Sequence, residues 1–325
     1  MCMKFKIVDN RFKFFAASIL LVVIGFVAML INGISGNGVF NLDIDFTGGT
    51  AIVMDMEKEF DNNALSEVVT DITGQVSPQV QKIIGTDQVS IKIQSIDADT
   101  RDSLITAIAK KFDIPETNVL SISDLSGTVS KEMQRTSVIA VLVACLAMLI
   151  YITIRFQDFK MGISSIIALL HDVFMMLTFY AIFRIPVNTA FIAALLTVVG
   201  YSINATIVIF DRIRENRRIE EVKDYAVLVD VSVWQTMRRS VYTSLTTFFT
   251  IGALCIFGVE AVRQFALPIV VGIVSGVYSS VFLSGSLWYM LYSKMGDNNY
   301  EDYYERESEK TVIDPFAFRN PKDYK

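Results

Sequence analysis

Hydrophobic and polar positions alternate on two scales along this chain. The coarse scale sets six apolar runs apart from polar stretches. Phe14–Ile31 is the first run, uncharged and of bilayer-spanning length. Five more follow a long polar block: Thr136–Ile154, Gly162–Phe183, Val187–Phe210, Tyr242–Val259 and Ala266–Tyr292, the last long enough to tilt. The first run is too long for a signal core and no clean small-residue cleavage site follows it, so it reads as a retained anchor. The connections 184–188 and 259–264 are short, which makes the spans they join antiparallel neighbours.

The fine scale appears inside the polar block, residues 35–135. Ala51–Met56 reads as a strand. Asp61–Thr73 has helical spacing at Leu65, Val68, Val69 and Ile72, with Asp61 or Asn62 as its cap. Val80–Ile84 and Val89–Ile93 are short strands around a Gly85-Thr86-Asp87 hairpin signal. Asp99–Phe112 is an amphipathic helix through Leu104, Ile105, Ile108 and Ala109, and Val119–Ile122 a last strand. The order βαββαβ predicts an α+β ferredoxin-like module. The fold class is therefore an α-helical polytopic membrane protein of six transmembrane helices, with that module between spans one and two. The expected division is 1–34 (N-terminus and first span), 35–135 (module), 136–295 (five spans) and 296–325 (a charged, Tyr-rich tail).

Composition agrees with a membrane protein: of 325 residues 52% are hydrophobic and 19% charged, and mean hydropathy is +0.46. Net charge is −5, which gives no footprint for nucleic acid. Cysteines at 2, 145 and 255 have no metal spacing, and a lone histidine, His171, excludes a multi-histidine site. No metal and no cofactor is expected. Phosphate-binding glycine loops, nucleophile elbows and HExxH are all missing, so hydrolytic and ATP-driven mechanisms have no residues to run on. No enzymatic activity is expected.

Charge also orients the chain. Lys4, Lys6, Arg11 and Lys13 precede the first span, and the loop 211–241 carries Arg212, Arg214, Arg217, Arg218, Lys223, Arg238 and Arg239. Basic loops belong on the cytoplasmic side, which places both termini in the cytoplasm and residues 35–135 outside. Ionisable and amide groups inside spans are candidates for function. His171 and Asp172 lie in the third run, Asn204 and Thr206 in the fourth, and Arg239 just before the fifth. Each has a plainer reading. Asn204 would act as interhelical glue, His171 and Asp172 as packing groups, and Arg239 as a snorkelling boundary residue. In the last run Gly272, Gly276 and Ser280 recur every four residues, a stripe that permits close helix approach.

Two segments carry a family resemblance. Val199–Asn216, VGYSINATIVIFDRIREN, resembles the fourth span of the SecF family, membrane subunits of the bacterial Sec export machinery. The family pattern GYSxNDTxVxFDRIREN is matched at Gly200, Tyr201, Ser202, Asn204, Thr206, Phe210, Asp211, Arg212, Ile213, Arg214, Glu215 and Asn216. Asp45-Phe46-Thr47-Gly48-Gly49-Thr50 matches the DFxGGT signature shared with SecD; its plainer reading is a turn into the first strand. The resemblance also covers the His171-Asp172 pair, the arginine before TSLTT (Arg239) and the final span. One departure stands out: Ala205 occupies the place of the family's intramembrane aspartate.

The resemblance implies proton-gradient-driven help to preproteins leaving the SecYEG channel. It implies a separate SecD chain as partner, with YidC and YajC as further partners, in the inner (cytoplasmic) membrane of a bacterial cell. With Ala205 unable to hold a proton, the titrating group is expected on SecD, with Asp172 and His171 as the candidates within this chain. Asn204, Thr206 and Arg239 then contribute polar lining. The rival classes are a stand-alone proton-coupled efflux transporter, which would need a second six-span repeat, and an uncoupled membrane scaffold.

Overall fold

The computed structural model describes residues 6–36, 38–75, 78–83, 86–219 and 224–293. Two hydrophobic cores organise it, one in the helical bundle and one in the α+β module.

Helix α1 (Arg11–Ile34) leads into a one-turn helix α2 (Ile44–Thr47) and then the module: β1 (Gly49–Asp55), α3 (Asn62–Thr73), β2 (Gln79–Lys82), β3 (Gln88–Ile93), α4 (Ala98–Phe112) and β4 (Val119–Leu125). The four strands form one antiparallel sheet in the order β2-β3-β1-β4. Alternate strand residues Ile52, Met54, Val89 and Ile91 meet Leu65, Val69, Leu104 and Ile108 of the two helices. Strand alternation and helical periodicity thus bury one shared face. Asp61 and Asp97 cap α3 and α4 by accepting backbone N–H groups. Asp61, not Asn62, is the cap. Gly85 of the expected hairpin lies outside the described residues, as does the 296–325 tail.

Among the described residues six helices are long and apolar enough to span a membrane. After α1 these are α5 (Gly127–Phe156), α6 (Phe159–Phe183), α7 (Thr189–Ile219), α8 (Tyr225–Phe257) and a last span built of α9 (Glu260–Tyr278), a π-helical segment Ser279–Ser284 and α10 (Gly285–Ser293). Several expected boundaries move. Helix α5 starts nine residues before Thr136 because Ser126 caps it directly after β4. The module therefore ends at 126 rather than 135. The expected loop 211–241 is mostly helix, since α7 runs to Ile219 and α8 begins at Tyr225. Within it Ala226–Val233 is buried, Asp230 and Ser232 included. At ~1.5 Å per residue α8 is about 50 Å long, more than a ~30 Å hydrocarbon layer holds for a helix crossing it upright. The 259–264 connection shrinks to Gly258 and Val259.

Small residues set the tightest helix contacts. A Cβ at Gly272 of α9 would lie 2.3 Å from Val198 of α7, and one at Gly276 would lie 3.0 Å from Ser202. The small-residue stripe therefore packs α9 on α7 as its spacing predicts. Gly25 plays the same part for α1, where a Cβ would meet Thr178 of α6 at 2.1 Å.

Candidate functional site

Helix α7 carries polar side chains on two faces, and the faces lead to different places. Ser202 and Thr206 are buried toward the α6–α9 side. Asn204 is exposed and, with half-buried Tyr201 and Ala205, looks into a cleft against α8.

The buried side centres on Asp172 of α6, which is 1% exposed. Its Oδ2 accepts hydrogen bonds from the Ser202 hydroxyl (2.6 Å) and the Ser279 hydroxyl (2.8 Å). Its Oδ1 accepts one from Ser275 (2.7 Å) and lies 3.2 Å from His171 Nδ1. One turn along, Thr206 and Ser280 hydroxyls are 3.1 Å apart, and Ser280 donates to the Ser202 carbonyl (3.4 Å). Three hydroxyl donors from two other helices satisfy a carboxylate that burial alone would penalise. His171 is no exposed polar face: its side chain is 10% exposed, tilted over Tyr278 at 5.9 Å between ring centres. Its Nε2 is buried with no hydrogen-bond partner among the described residues. The π-helical segment begins at Ser279, and such segments place side chains that a regular helix would turn away.

The open side is a cleft of ≈ 70 Å³ lined by Tyr201, Asn204, Ala205, Arg239, Thr243 and Ser244, among others. Tyr201 donates to Thr247 Oγ1 (3.0 Å) and to the Thr243 carbonyl (3.2 Å), tying α7 to α8. Thr243, Thr246 and Thr247 return their hydroxyls to carbonyls of their own helix. Among the described residues no hydrogen bond or ion pair reaches the Arg239 guanidinium, and no carboxylate lines the cleft. Arg238 turns away to stack on Tyr242 at 5.4 Å. The candidate residues therefore divide. Asp172, His171 and Thr206 share the buried cluster, and Asn204 and Arg239 share the cleft.

The two sequence motifs tie helices together. Arg212 of DRIREN donates to Glu215 (2.6 Å) and Gln235 (2.6 Å), Asn216 donates to Ser232 (2.9 Å), and Asp211 lies 3.6 Å from Arg155 of α5. These contacts hold the end of α7 to α8 and α5. Gly200 has nothing within 4 Å of a notional Cβ. In DFTGGT, Asp45 Oδ2 accepts from the backbone N–H (2.8 Å) and hydroxyl (2.6 Å) of Thr189, the first residue of α7. Gly49 sits at φ +143°, with a notional Cβ 2.2 Å from the Ile93 carbonyl, so only glycine fits. The motif is more than a turn into β1: it builds α2 and caps α7.

Ser275 and Ser279 were not singled out beforehand. Their i, i+4 spacing in GIVSGVYSS is the signal that one helix face presents both hydroxyls.

A bundle of six apolar helices with an α+β module after the first is a polytopic membrane protein. Residues 104–294 match the family model described as protein export membrane protein SecD/SecF, C-terminal. The chain is 36% identical to the protein translocase subunit SecF of Acidaminococcus fermentans over 90% of its length and 99% of that protein. It is 33% identical to the protein translocase subunit SecDF of Bacillus subtilis, covering 88% of this chain and 38% of that one. Among solved structures, SecDF from Thermus thermophilus superposes with a TM-score of 0.79 at 33% identity, over 89% of this chain and 38% of that chain. The chain belongs to the SecD/SecF family. Its role is that of a SecF-like accessory subunit of the protein translocase.

Proposed function

We propose that this chain is the SecF half of a two-chain unit that uses the proton gradient to assist preproteins leaving SecYEG, with a separate SecD chain as the other half. Fused relatives named SecDF support the pairing, because this chain spans only 38% of their length. YidC and YajC are the further partners in this reading. The membrane is the bacterial inner membrane, with both termini cytoplasmic. Residues 35–126 form a ferredoxin-like module, a fold supported by the β2-β3-β1-β4 order, and lie on the outer side, opposite the basic residues of 211–241. A cysteine at Ser95 should then react with an impermeant thiol reagent in intact cells and one at Glu220 should not, in a background lacking the native cysteines. The reverse pattern sinks the topology.

The observation that carries the proton reading is the cleft beside Ala205. It presents the Arg239 guanidinium, with Asn204, to a space that holds no carboxylate of this chain. A titrating carboxylate facing that cleft from the partner would complete the arrangement, and this chain would supply fixed charge and polar lining. Asp172 and His171 are the competing carriers. In a strain carrying Asp172→Asn with His171→Gln, gradient-dependent export should stay near normal. Complete loss of that dependence, with the complex still assembled, places the carrier in this chain instead.

A further inference from the structure

Where the module meets the spans, the structure leaves a cavity of ≈ 370 Å³ with a mostly apolar lining. Its roof is Gln81 on the edge strand β2. Its walls include Tyr180 near the end of α6, Cys255 and Ile256 at the end of α8, and Leu267 of α9. Ligand pockets typically run ~300–1,000 Å³ and combine apolar walls with a few placed polar groups. Tyr180 supplies such a group. It is 2% exposed, and its ring is held against Phe191 at 4.4 Å between ring centres. Among the described residues its hydroxyl has no hydrogen-bond partner. Buried tyrosines normally satisfy their O–H, so this one leaves a donor for whatever fills the cavity.

The cavity is also continuous with the apolar flank of the spans. Ile256 belongs to its wall and is itself exposed, as are Phe257 next to it and Phe183 at the end of α6. Tyr180 lies three residues before that end, so at ~1.5 Å per residue it sits ~4–5 Å below it. Tyrosines at that level meet the boundary between acyl chains and headgroups. Glu260 and Arg263, one turn apart on α9, both line the cavity and are opposite in charge. The lining therefore favours an uncharged or zwitterionic occupant over an anion.

We propose that this cavity is a lipid site: it takes one acyl chain of a zwitterionic, ester-linked phospholipid from the leaflet on the module's side, and Tyr180 donates a hydrogen bond to the chain's ester carbonyl. An acyl chain reaches the cavity past Ile256 without leaving the bilayer, whereas an apolar stretch of polypeptide would have to arrive through water. The site is separate from the cleft beside Ala205 and does not depend on proton coupling.

The test uses the full-length chain with its partner, purified, stripped of lipid and supplied with diacyl phosphatidylethanolamine or with its dialkyl ether analogue, which lacks the carbonyl. Native mass spectrometry then counts the lipid that survives removal of loosely held molecules. The parent should keep one diacyl lipid. Tyr180→Phe should hold it about two- to tenfold more weakly, the effect of one neutral hydrogen bond, and should hold the ether analogue as well as the parent does. Leu267→Trp and Cys255→Phe, which fill the cavity from two walls, should each lose the lipid. Where neither filling variant assembles, the comparison of ester with ether lipid on Tyr180→Phe decides. The lipid assignment is overturned if the parent keeps no lipid, if an assembled filling variant keeps it as the parent does, or if Tyr180→Phe weakens ester and ether lipids equally. A photoreactive amino acid in place of Ile256 that captures a stalled preprotein, in a protein that keeps no lipid, overturns it in favour of a polypeptide occupant.

Discussion

Thr206 and Asn204 sit two residues apart on α7 and live in opposite conditions. At ~100° per residue they point to opposite sides of the helix. Thr206 joins a buried network in which every carboxylate oxygen of Asp172 is occupied. Asn204 looks into a cleft whose guanidinium has no partner among the described residues. Polar residues in one span are thus not one site. On the closed face both carboxylate oxygens of Asp172 are satisfied within this chain, although the buried His171 Nε2 is not, while on the open face the Arg239 guanidinium has no partner among the described residues. Substitutions on the two faces should separate stability from function.

The largest effect is expected on the closed face. Asp172→Ala leaves three buried hydroxyls without their acceptor and should cost about 3 kcal/mol, softened where the serines turn to their own helix carbonyls. Denaturant unfolding in mild detergent measures it, and a loss under ~0.5 kcal/mol would show that the cluster is not the internal anchor described. Next comes the α7–α9 seam. Gly272→Ala drives a methyl into Val198 and should cost about 1–3 kcal/mol. Gly200→Ala, with open space around it, should shift stability by no more than ~1 kcal/mol, toward greater stability if at all. If Gly200→Ala nonetheless weakens export, the open face is where the partner packs closely. Smallest in stability is Arg239→Gln, expected within ~0.5 kcal/mol of the parent because no internal bond is broken. Its gradient-dependent export should nevertheless vanish. An unfolding shift as large as that of Asp172→Ala would erase the distinction between the faces.

Much of this was legible beforehand, for identifiable reasons. Period-2 and period-3.6 patterns marked the strands and helices of the module, and Asp61, one of the two caps expected for α3, is its cap, whereas Asp97, the cap of α4, had not been expected. The Gly272-Gly276-Ser280 spacing correctly gave a helix seam, because close approach leaves a compositional trace. The 211–241 stretch was expected to be a loop because of its basic residues, and nothing in the sequence around Asp230 marks that residue as buried. It is fully buried, and its Oδ1 accepts the backbone N–H groups of Ile7 (3.1 Å) and Val8 (2.9 Å). A partner more than two hundred residues away leaves no local pattern. The division of the candidate site was hidden for a similar reason: spacing on α7 separates Asn204 from Thr206, but only packing shows which neighbour each one meets.

The π-helical segment bears on the last span in a further way. Its two ends answer to separate anchors: Ser275 and Ser279 bond Asp172, while Trp288, fully buried, donates to Asp158 Oδ2 at 3.2 Å from α10. A regular helix fixes the angular phase between residues 279 and 288 by their count alone. A π turn holds one residue more and changes that phase by ~100°. Ser279–Ser284 therefore works as a phase adjuster, letting one continuous rod satisfy two azimuths that 3.6 residues per turn would set against each other.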